Sequence, residues 1–539
     1  VGEAFEALFP DRLEEEAHRL AEHFQEALIL DKAQHYFTMA GDQALRLYAN
    51  TEAIEHYGKA LALARDNGPG EQLMRLYERL GRTYEMSNRY DDAIKMYREM
   101  RELSAERDAP VLKLQALLAE ATIRSTFTDK FDGKLGRQLT NEALALAQEL
   151  GDPRAEAKAY WNLSLLGTYT DRDVNETIAY GEQAAAIARR HQLPEELAFA
   201  LHDLGRPYVM AGRLADGEVA LEEAAQLWRR LGRANMLADN RTTLAENFGL
   251  QGDLQKALLL LEEALNISRQ SSNYWGQGYD QVTMAPMIFE IGRVNQALAA
   301  CEEGIAAAER ASFAAPQVYG RVHMALSYAQ LGDLERAFKI IHETENVLET
   351  LDLSTFKNLP QLGLAYLYVL SGSLEEARML LPDKIDPLEL SQSEPILYSL
   401  AVITRPLLNL KLGQYSETLA AVERALEQAR ENGLVITLPE LQLLQAKTLL
   451  GLKRPDEAAD VLANAANQAR TFGIKHTRVP ILALLSQLDR QRGNDAAAAA
   501  AQQEAQSSAA YIAAHISDQA LRDKFMDTDN VRMLYGRTA

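Results

Sequence analysis

Residues 235–270 read NMLADNRTTLAENFGLQGDLQKALLLLEEALNISRQ, and this stretch decides the fold. Leu237, Leu244, Ala245 and Phe248 fall on one helical face, which stops at Gly252. Leu254, Ala257, Leu258, Leu261, Ala264 and Leu265 then trace a second apolar stripe at helical spacing. Two amphipathic helices joined by a glycine turn form an αα-hairpin. Glycine suits such a turn because a helix commonly stops on a left-handed residue, which only glycine adopts without penalty.

The same pattern recurs along the chain. Ala257, Ala297, Ala337 and Ala377 stand 40 residues apart, each preceded five residues earlier by a turn pair: Gly252-Asp253, Gly292-Arg293, Gly332-Asp333 and Gly372-Ser373. The series continues through Gly217, Thr177, Gly136, Ala93 and Ala53 upstream, and through Thr418, Ala458 and Ala498 downstream. Small residues at this position let the two backbones of a hairpin approach closely. Self-similarity at such a period marks a stacked repeat architecture. It also explains how 539 residues escape the size limit of one globular core, since each unit packs only on its neighbours.

The residues around these positions resemble the tetratricopeptide repeat. Tyr77, Leu80, Gly81, Tyr84, Ala93 and Tyr97 reproduce its bulky–Leu–Gly–aromatic–Ala–aromatic order, and Leu201, Leu204, Gly205 and Tyr208 repeat the first half. Trp161 takes the tryptophan place of another unit. Pro406 and Asn409 depart from the pattern, Pro286 replaces a helix-interior residue, and the period is 40 rather than about 34. HEAT and armadillo repeats, with periods of about 40–47, are the rival assignment; the Gly-Asp and Gly-Arg turns followed by an alanine stripe favour tetratricopeptide. The expected fold is all-α: a right-handed α-solenoid superhelix of about a dozen helix–turn–helix repeats.

A narrower resemblance lies at the ends. Leu8-Phe9-Pro10-Asp11-Arg12-Leu13-Glu14-Glu15 leads into Asp31-Lys32-Ala33, Ala40-Gly41-Asp42-Gln43-Ala44 and Tyr48-Ala49-Asn50. This is similar to the junction at which bacterial STAND-type signalling ATPases, including cyclase-linked and LuxR- or MalT-like regulators, pass into a tetratricopeptide sensor. Ile516, Asp518, Leu521-Arg522, Phe525 and Val531-Arg532 resemble the closing helix of such arrays. The organisation expected is irregular helical hairpins over 1–49 at the junction to an upstream domain, the repeat array over 50–514, and a capping helix and tail over 515–539. A chain that starts at Val1 rather than at methionine fits a piece of a longer protein.

Composition narrows the function. A net charge of −21 and the absence of any Lys/Arg run disfavour direct nucleic-acid binding. The most apolar stretch, 395–410, carries Arg405 and two prolines and is shorter than a membrane span requires. A single cysteine, Cys301, excludes an internal disulfide and suits a reducing, cytoplasmic compartment.

No chemistry-bearing motif emerges. A phosphate-binding loop is missing, for Gly133-Lys134-Leu135 lacks both hydroxyl and preceding glycine. Gly276-Gln277-Gly278 reads as an inter-helix loop. His18 and His23 are five apart and share no face, and no Gly-x-Ser-x-Gly elbow occurs. Paired glutamates such as Glu222-Glu223 and Glu262-Glu263 are explained by helix ends and solvation. No catalytic, metal or cofactor residue is therefore assigned, and an enzyme is the least favoured class.

What remains is surface. In tetratricopeptide folds the first helix of each hairpin lines a concave groove, and the resemblance implies the same here. Eighteen residues before the small-residue position stand Phe199, Asp239, Tyr279, Tyr319 and Leu359; one turn on, His202, Thr242, Val282, Val322 and Leu362; four further, Arg206, Glu246, Pro286, Leu326 and Tyr366. The expected partner-binding groove is Phe199, His202, Asp203, Arg206, Asp239, Glu246, Tyr279, Tyr319 and Tyr366, taking a protein or peptide segment. The function implied is a non-catalytic interaction and sensing scaffold, the regulatory module of a larger signalling ATPase or transcription regulator. A free-standing adaptor is the alternative.

Overall fold

The helices and turns keep a strict metre. In the computed structural model, which describes residues 2–47, 49–65, 70–126, 128, 130–170, 173–350, 358–381 and 395–536, no described residue is in a strand. Ala234–Leu250, Leu254–Gln270, Tyr274–Glu290, Val294–Arg310, Ala314–Gln330 and Leu334–Thr350 are each 17-residue helices. Three-residue turns separate them, so two helices and two turns make the 40-residue period. The residues beyond a shorter tetratricopeptide unit are absorbed as extra helix.

Both kinds of turn are built alike. A left-handed residue falls every 20 positions, at Gln192, Gly212, Gly232, Gly252, Ser272, Gly292, Ser312 and Gly332. The next amide closes back on the preceding helix: Asp253 N donates to Phe248 O at 2.9 Å, and Asn273 N to Ser268 O at 2.8 Å. This is the Schellman closure that satisfies the last carbonyls of a helix. Three of these eight positions are invisible in the sequence, because Gln192, Ser272 and Ser312 stand where glycine is expected.

Gly276-Gln277-Gly278 is not a loop. It lies in the first turns of the Tyr274–Glu290 helix, capped by the Asn273 side chain. A Cβ on Gly278 would come within 3.1 Å of the Ala308 backbone nitrogen, so this glycine permits close helix packing. Gly133 and Lys134 likewise already belong to the Gly133–Leu150 helix; the preceding loop is 126–132, of which 127 and 129 lie outside the described residues.

Ala257, Ala297, Ala337 and Ala377 are all buried, as the close-approach argument requires. Cys301 is buried too, and burial pushes its thiol up to about 12, leaving it an inert packing residue. Among the described residues no helix is long and apolar enough to cross a membrane.

The chain forms two compact units. One comprises 1–171 with 179–197, the other 172–178 with 198–539. In the first, Phe37, Tyr57, Leu73, Tyr77 and Tyr97 build a continuous core. The Tyr97 ring lies against Gly81, where a side chain would collide, and its hydroxyl donates to Glu85 at 2.6 Å.

The second unit coils back on itself. Gly212 abuts Glu431, Gly252 abuts Phe472 and Gly292 abuts Tyr511, contacts 219, 220 and 219 residues apart. That span is about 5.5 repeats. The half-integer explains why turns within one set of hairpins meet turns between another set. Along this seam Leu254, Met287 and Ile291 pack with Phe472 and Ile474. Phe289, Val294 and Leu331 share a core with Ile512, Ile516, Leu521 and Phe525. Lys524 reaches Asp333 at 2.7 Å and Arg336 reaches Asp518 at 3.0 Å.

The carboxyl end consists of two short helices, Gln519–Met526 and Asp529–Leu534, rather than the single closing helix expected. Gln502 and Gln506 both donate to Leu534 O at 2.7 Å, which holds this end against the last long helix. Asn295 ties the same end to the seam: its backbone N–H donates to His515 O, and its Oδ1 accepts from Ser517 N and Oγ. Asn295→Ala should therefore cost about 1 kcal/mol, read as faster hydrogen exchange of the Ser517 amide. Unchanged exchange there would refute the contact.

Candidate partner-binding groove

On the first helices the half-buried positions run i, i+4, i+7, i+11, the spacing of a single helix face, and this face is the candidate groove. Phe199, Asp203 and Arg206 occupy it on the helices Pro194–Asp203 and Gly205–Met210. Asp239, Thr243 and Glu246 do so on Ala234–Leu250, and Tyr279, Thr283, Pro286 and Glu290 on Tyr274–Glu290. Tyr319, His323, Leu326 and Gln330 continue it on Ala314–Gln330. Glu440 and Lys447 hold the matching places on Leu438–Gly451.

One of the three sequence columns is therefore a packing column. His202, Thr242, Val282, Val322 and Leu362 are all buried between hairpins. The column that sequence reading passed over, apart from Asp203, is Asp203, Thr243, Thr283 and His323. A shift of one residue turns a helix by 100°, enough to exchange the groove face for the packing face.

His202, Asp203, Arg206, Asp239, Glu246 and Tyr279 come together. Tyr279 donates its hydroxyl to Glu246 Oε1 at 3.0 Å, and His202 Nε2 lies 3.5 Å from Asp239 Oδ2. Burial raises the Asp239 carboxyl above its ordinary value, against the opposing pull of His202 and Arg206. A fifth of that side chain, 22 %, remains open to solvent, which tempers the shift. Glu246 is raised by burial and drawn down by Arg206 and the Tyr279 hydroxyl. Tyr279 is raised well above the usual phenol range, by burial first and then by Glu246.

The other expected groove residues diverge. Phe199 packs edge-on against the buried Trp228, with centroids 4.9 Å apart. Tyr319 is half-buried against the core of the neighbouring hairpins. Tyr366, 8 % exposed, belongs to that core, and its hydroxyl meets the Gln330 side chain.

Further groups were missed by sequence reading. Glu290 looks like a solvated helix end, yet the seam brings 475–477 onto it. Its backbone carbonyl accepts from Lys475 N and His476 N, and its side chain accepts from Thr477 N and Oγ1. Burial raises Glu290, and raises Glu440 to about 7 with Glu290 as its acidic neighbour. Burial pushes His323 and His476 down to about 4, so both are neutral at pH 7. Among the described residues no group of three or more His, Cys, Asp or Glu side chains is placed to hold a metal ion.

Residues 165–473, more than half the sequence, match the MalT-like TPR region family. The chain belongs to that family. Residues 41–106 of this MalT-like tetratricopeptide chain also match the tetratricopeptide repeat family. No curated protein matches it. Among solved structures it is similar to a Pyrococcus horikoshii signal transduction ATPase with numerous domains (STAND) that carries a tetratricopeptide repeat sensor. Identity is 14%, with 64% of this chain and 52% of that one covered at a TM-score of 0.47. The MalT-like chain thus spans about half the length of that protein. It is also similar to a Rap protein complexed with competence and sporulation factor, at 12% identity, 67% and 98% coverage and a TM-score of 0.48. A third likeness is yeast Tom70, at 14% identity, 92% and 100% coverage and a TM-score of 0.35.

Proposed function

We propose that this chain is a non-catalytic recognition and sensing module that holds a protein or peptide segment in the groove of its second unit. The observation carrying this reading is the strip of Arg206, Asp239, Glu246 and Tyr279, supplied by three successive first helices and left half-open. Solenoids present extended concave surfaces, and recognition on such a surface concentrates on a few aromatic and arginine anchors. The module serves, in this reading, as the cytoplasmic regulatory part of a larger bacterial STAND-type ATPase or transcription regulator. The family match and the sequence around Leu8–Asn50 support that parentage. Reading the open reading frame upstream of Val1 tests it: a free-standing adaptor would show a start codon just upstream, a sensor module an ATPase domain in frame.

The groove itself is tested on a peptide array probed with the full chain. Replacing Arg206, Tyr279 and Tyr319 together by alanine should weaken the selected peptides by at least about 2 kcal/mol while the circular dichroism stays helical. Normal binding by that variant, or loss of its fold, would assign the three side chains to packing.

A further inference from the structure

One interior place recurs in three successive repeats of the second unit, with different contents each time. Asp280 stands 38 residues after Thr242 and 12 after Ser268, and accepts a hydrogen bond from each. Forty residues on, the same three positions hold Gly320, Val282 and Ala308, all buried. A Cβ on Gly320 would meet Val282 at 3.1 Å and Ile305 at 2.7 Å, so this place is closed by apolar packing. Forty residues back, the positions hold Asn240, His202 and Trp228. Asn240 and Trp228 are fully buried, and His202 is 6 % exposed. The neighbourhood is kept: His202 Nε2 lies 3.5 Å from Asp239, the residue before Asn240, and Trp228 packs on Phe199, one turn before His202. Yet the polar atoms do not bond one another as the Asp280 set does. Among the described residues Asn240 Oδ1 and Nδ2, Trp228 Nε1 and His202 Nδ1 have no hydrogen-bond partner. Four such atoms at one interior place are costly and mark a site that something else completes.

We propose that a water molecule is built into this place, hydrogen-bonded to Asn240, Trp228 and His202. The donors and acceptors match. With His202 Nε2 facing the Asp239 carboxylate, a neutral imidazole keeps its proton there and presents Nδ1 as an acceptor. Trp228 Nε1–H and Asn240 Nδ2–H are then the donors, Asn240 Oδ1 and His202 Nδ1 the acceptors. A water molecule offers two of each, and a buried one makes about three such bonds. The Asp280 set needs no intermediary because its two hydroxyls reach the carboxylate directly. Through His202 the water steadies Asp239 at the edge of the candidate groove, but the site stands whatever that groove binds.

The test is a water-edited NOE spectrum of the full chain, deuterated and labelled with nitrogen-15 at tryptophan. Trp228→Phe identifies the required signal among the three indole N–H groups; if that variant does not fold, Trp161→Phe and Trp275→Phe identify it by elimination. The Trp228 indole proton should show a cross-peak to water with the sign of a molecule that tumbles with the protein, and Asn240→Leu should lose it. Absence of the peak from the wild type would overturn the proposal, leaving the N–H on the Phe199 ring or bonded directly to Asn240. Persistence of the peak in Asn240→Leu would overturn it too. Urea titrations give a second measure. Trp228→Phe should raise the unfolding constant at least about tenfold in the wild type, and at least threefold less in Asn240→Leu, because one water joins the two groups. Equal effects in both backgrounds would mean that the side chains act separately and would overturn the shared site.

Discussion

Gly212→Ala should destabilise the second unit by about 3 kcal/mol or more, whereas Gly372→Ala, the same change in the same kind of turn, should cost about 1 kcal/mol. Both glycines are left-handed, with φ of +69° and +85°, so both variants carry the strain of a side chain in that region. They differ in what a Cβ would meet. At Gly372 nothing among the described residues lies within 4 Å; at Gly212 the Glu431 carbonyl oxygen stands 2.5 Å away and the Asn432 Cα 3.1 Å away. A backbone carbonyl cannot swing aside like a flexible side chain, so the seam must open or the turn must deform. Gly332→Val belongs between the two, at more than 1 kcal/mol, because Lys524 O lies 3.1 Å from its Cβ site. Hydrogen exchange at Glu431–Leu434 and urea midpoints measure the difference. Equal costs at 212 and 372 would mean that the coils do not touch.

Asp280→Asn should stabilise the protein at pH 8 by as much as about 4 kcal/mol, yet have no stabilising effect near pH 4. Asp280 is fully buried, and its carboxyl accepts from Thr242 at 2.6 Å and Ser268 at 2.8 Å. Burial pushes it up to about 7 from an ordinary 3.8, against the pull of those two hydroxyls. The folded chain thus holds a proton that the unfolded chain releases above about pH 4. Wild-type stability falls as pH rises from about 4 to about 7, where the folded carboxyl finally ionises, and is level above that. An asparagine has no proton to lose. Its Oδ1 can accept from Thr242 while its Nδ2 donates to the Ser268 hydroxyl, so the neutral contacts are kept. Urea titrations of both proteins at pH 4.5 and 8 give the result, and a difference independent of pH would show that Asp280 ionises normally in the fold.

The candidate groove was only partly legible in the chain. Asp239, Glu246 and Tyr279 are half-buried at the regular spacing from the small-residue position that a candidate groove face requires, on uninterrupted helices. His202 was assigned to the wrong face because three residues of offset and four differ by only 100° of helix, and hydrophobicity does not separate them when the residue is histidine. Glu290 and Glu440 had no local signal at all. Each is an acid near one end of its helix, the usual position of a solvated charge, and their environment is created by residues far away along the chain.

The sequence by itself determined the helical hairpin, its 40-residue period, the glycine turns and the buried alanines. All of these are decided by interactions within about twenty residues: apolar spacing, helix stops, and the volume available between two adjacent helices. Only the tertiary structure decided that turns recur every 20 residues, that the chain divides near residues 171–198, and that the second unit closes on itself between Gly212 and Glu431. The rotation from one repeat to the next is small and no single residue encodes it. Summed over about 5.5 repeats, it sets which distant turns meet and which charges share a groove.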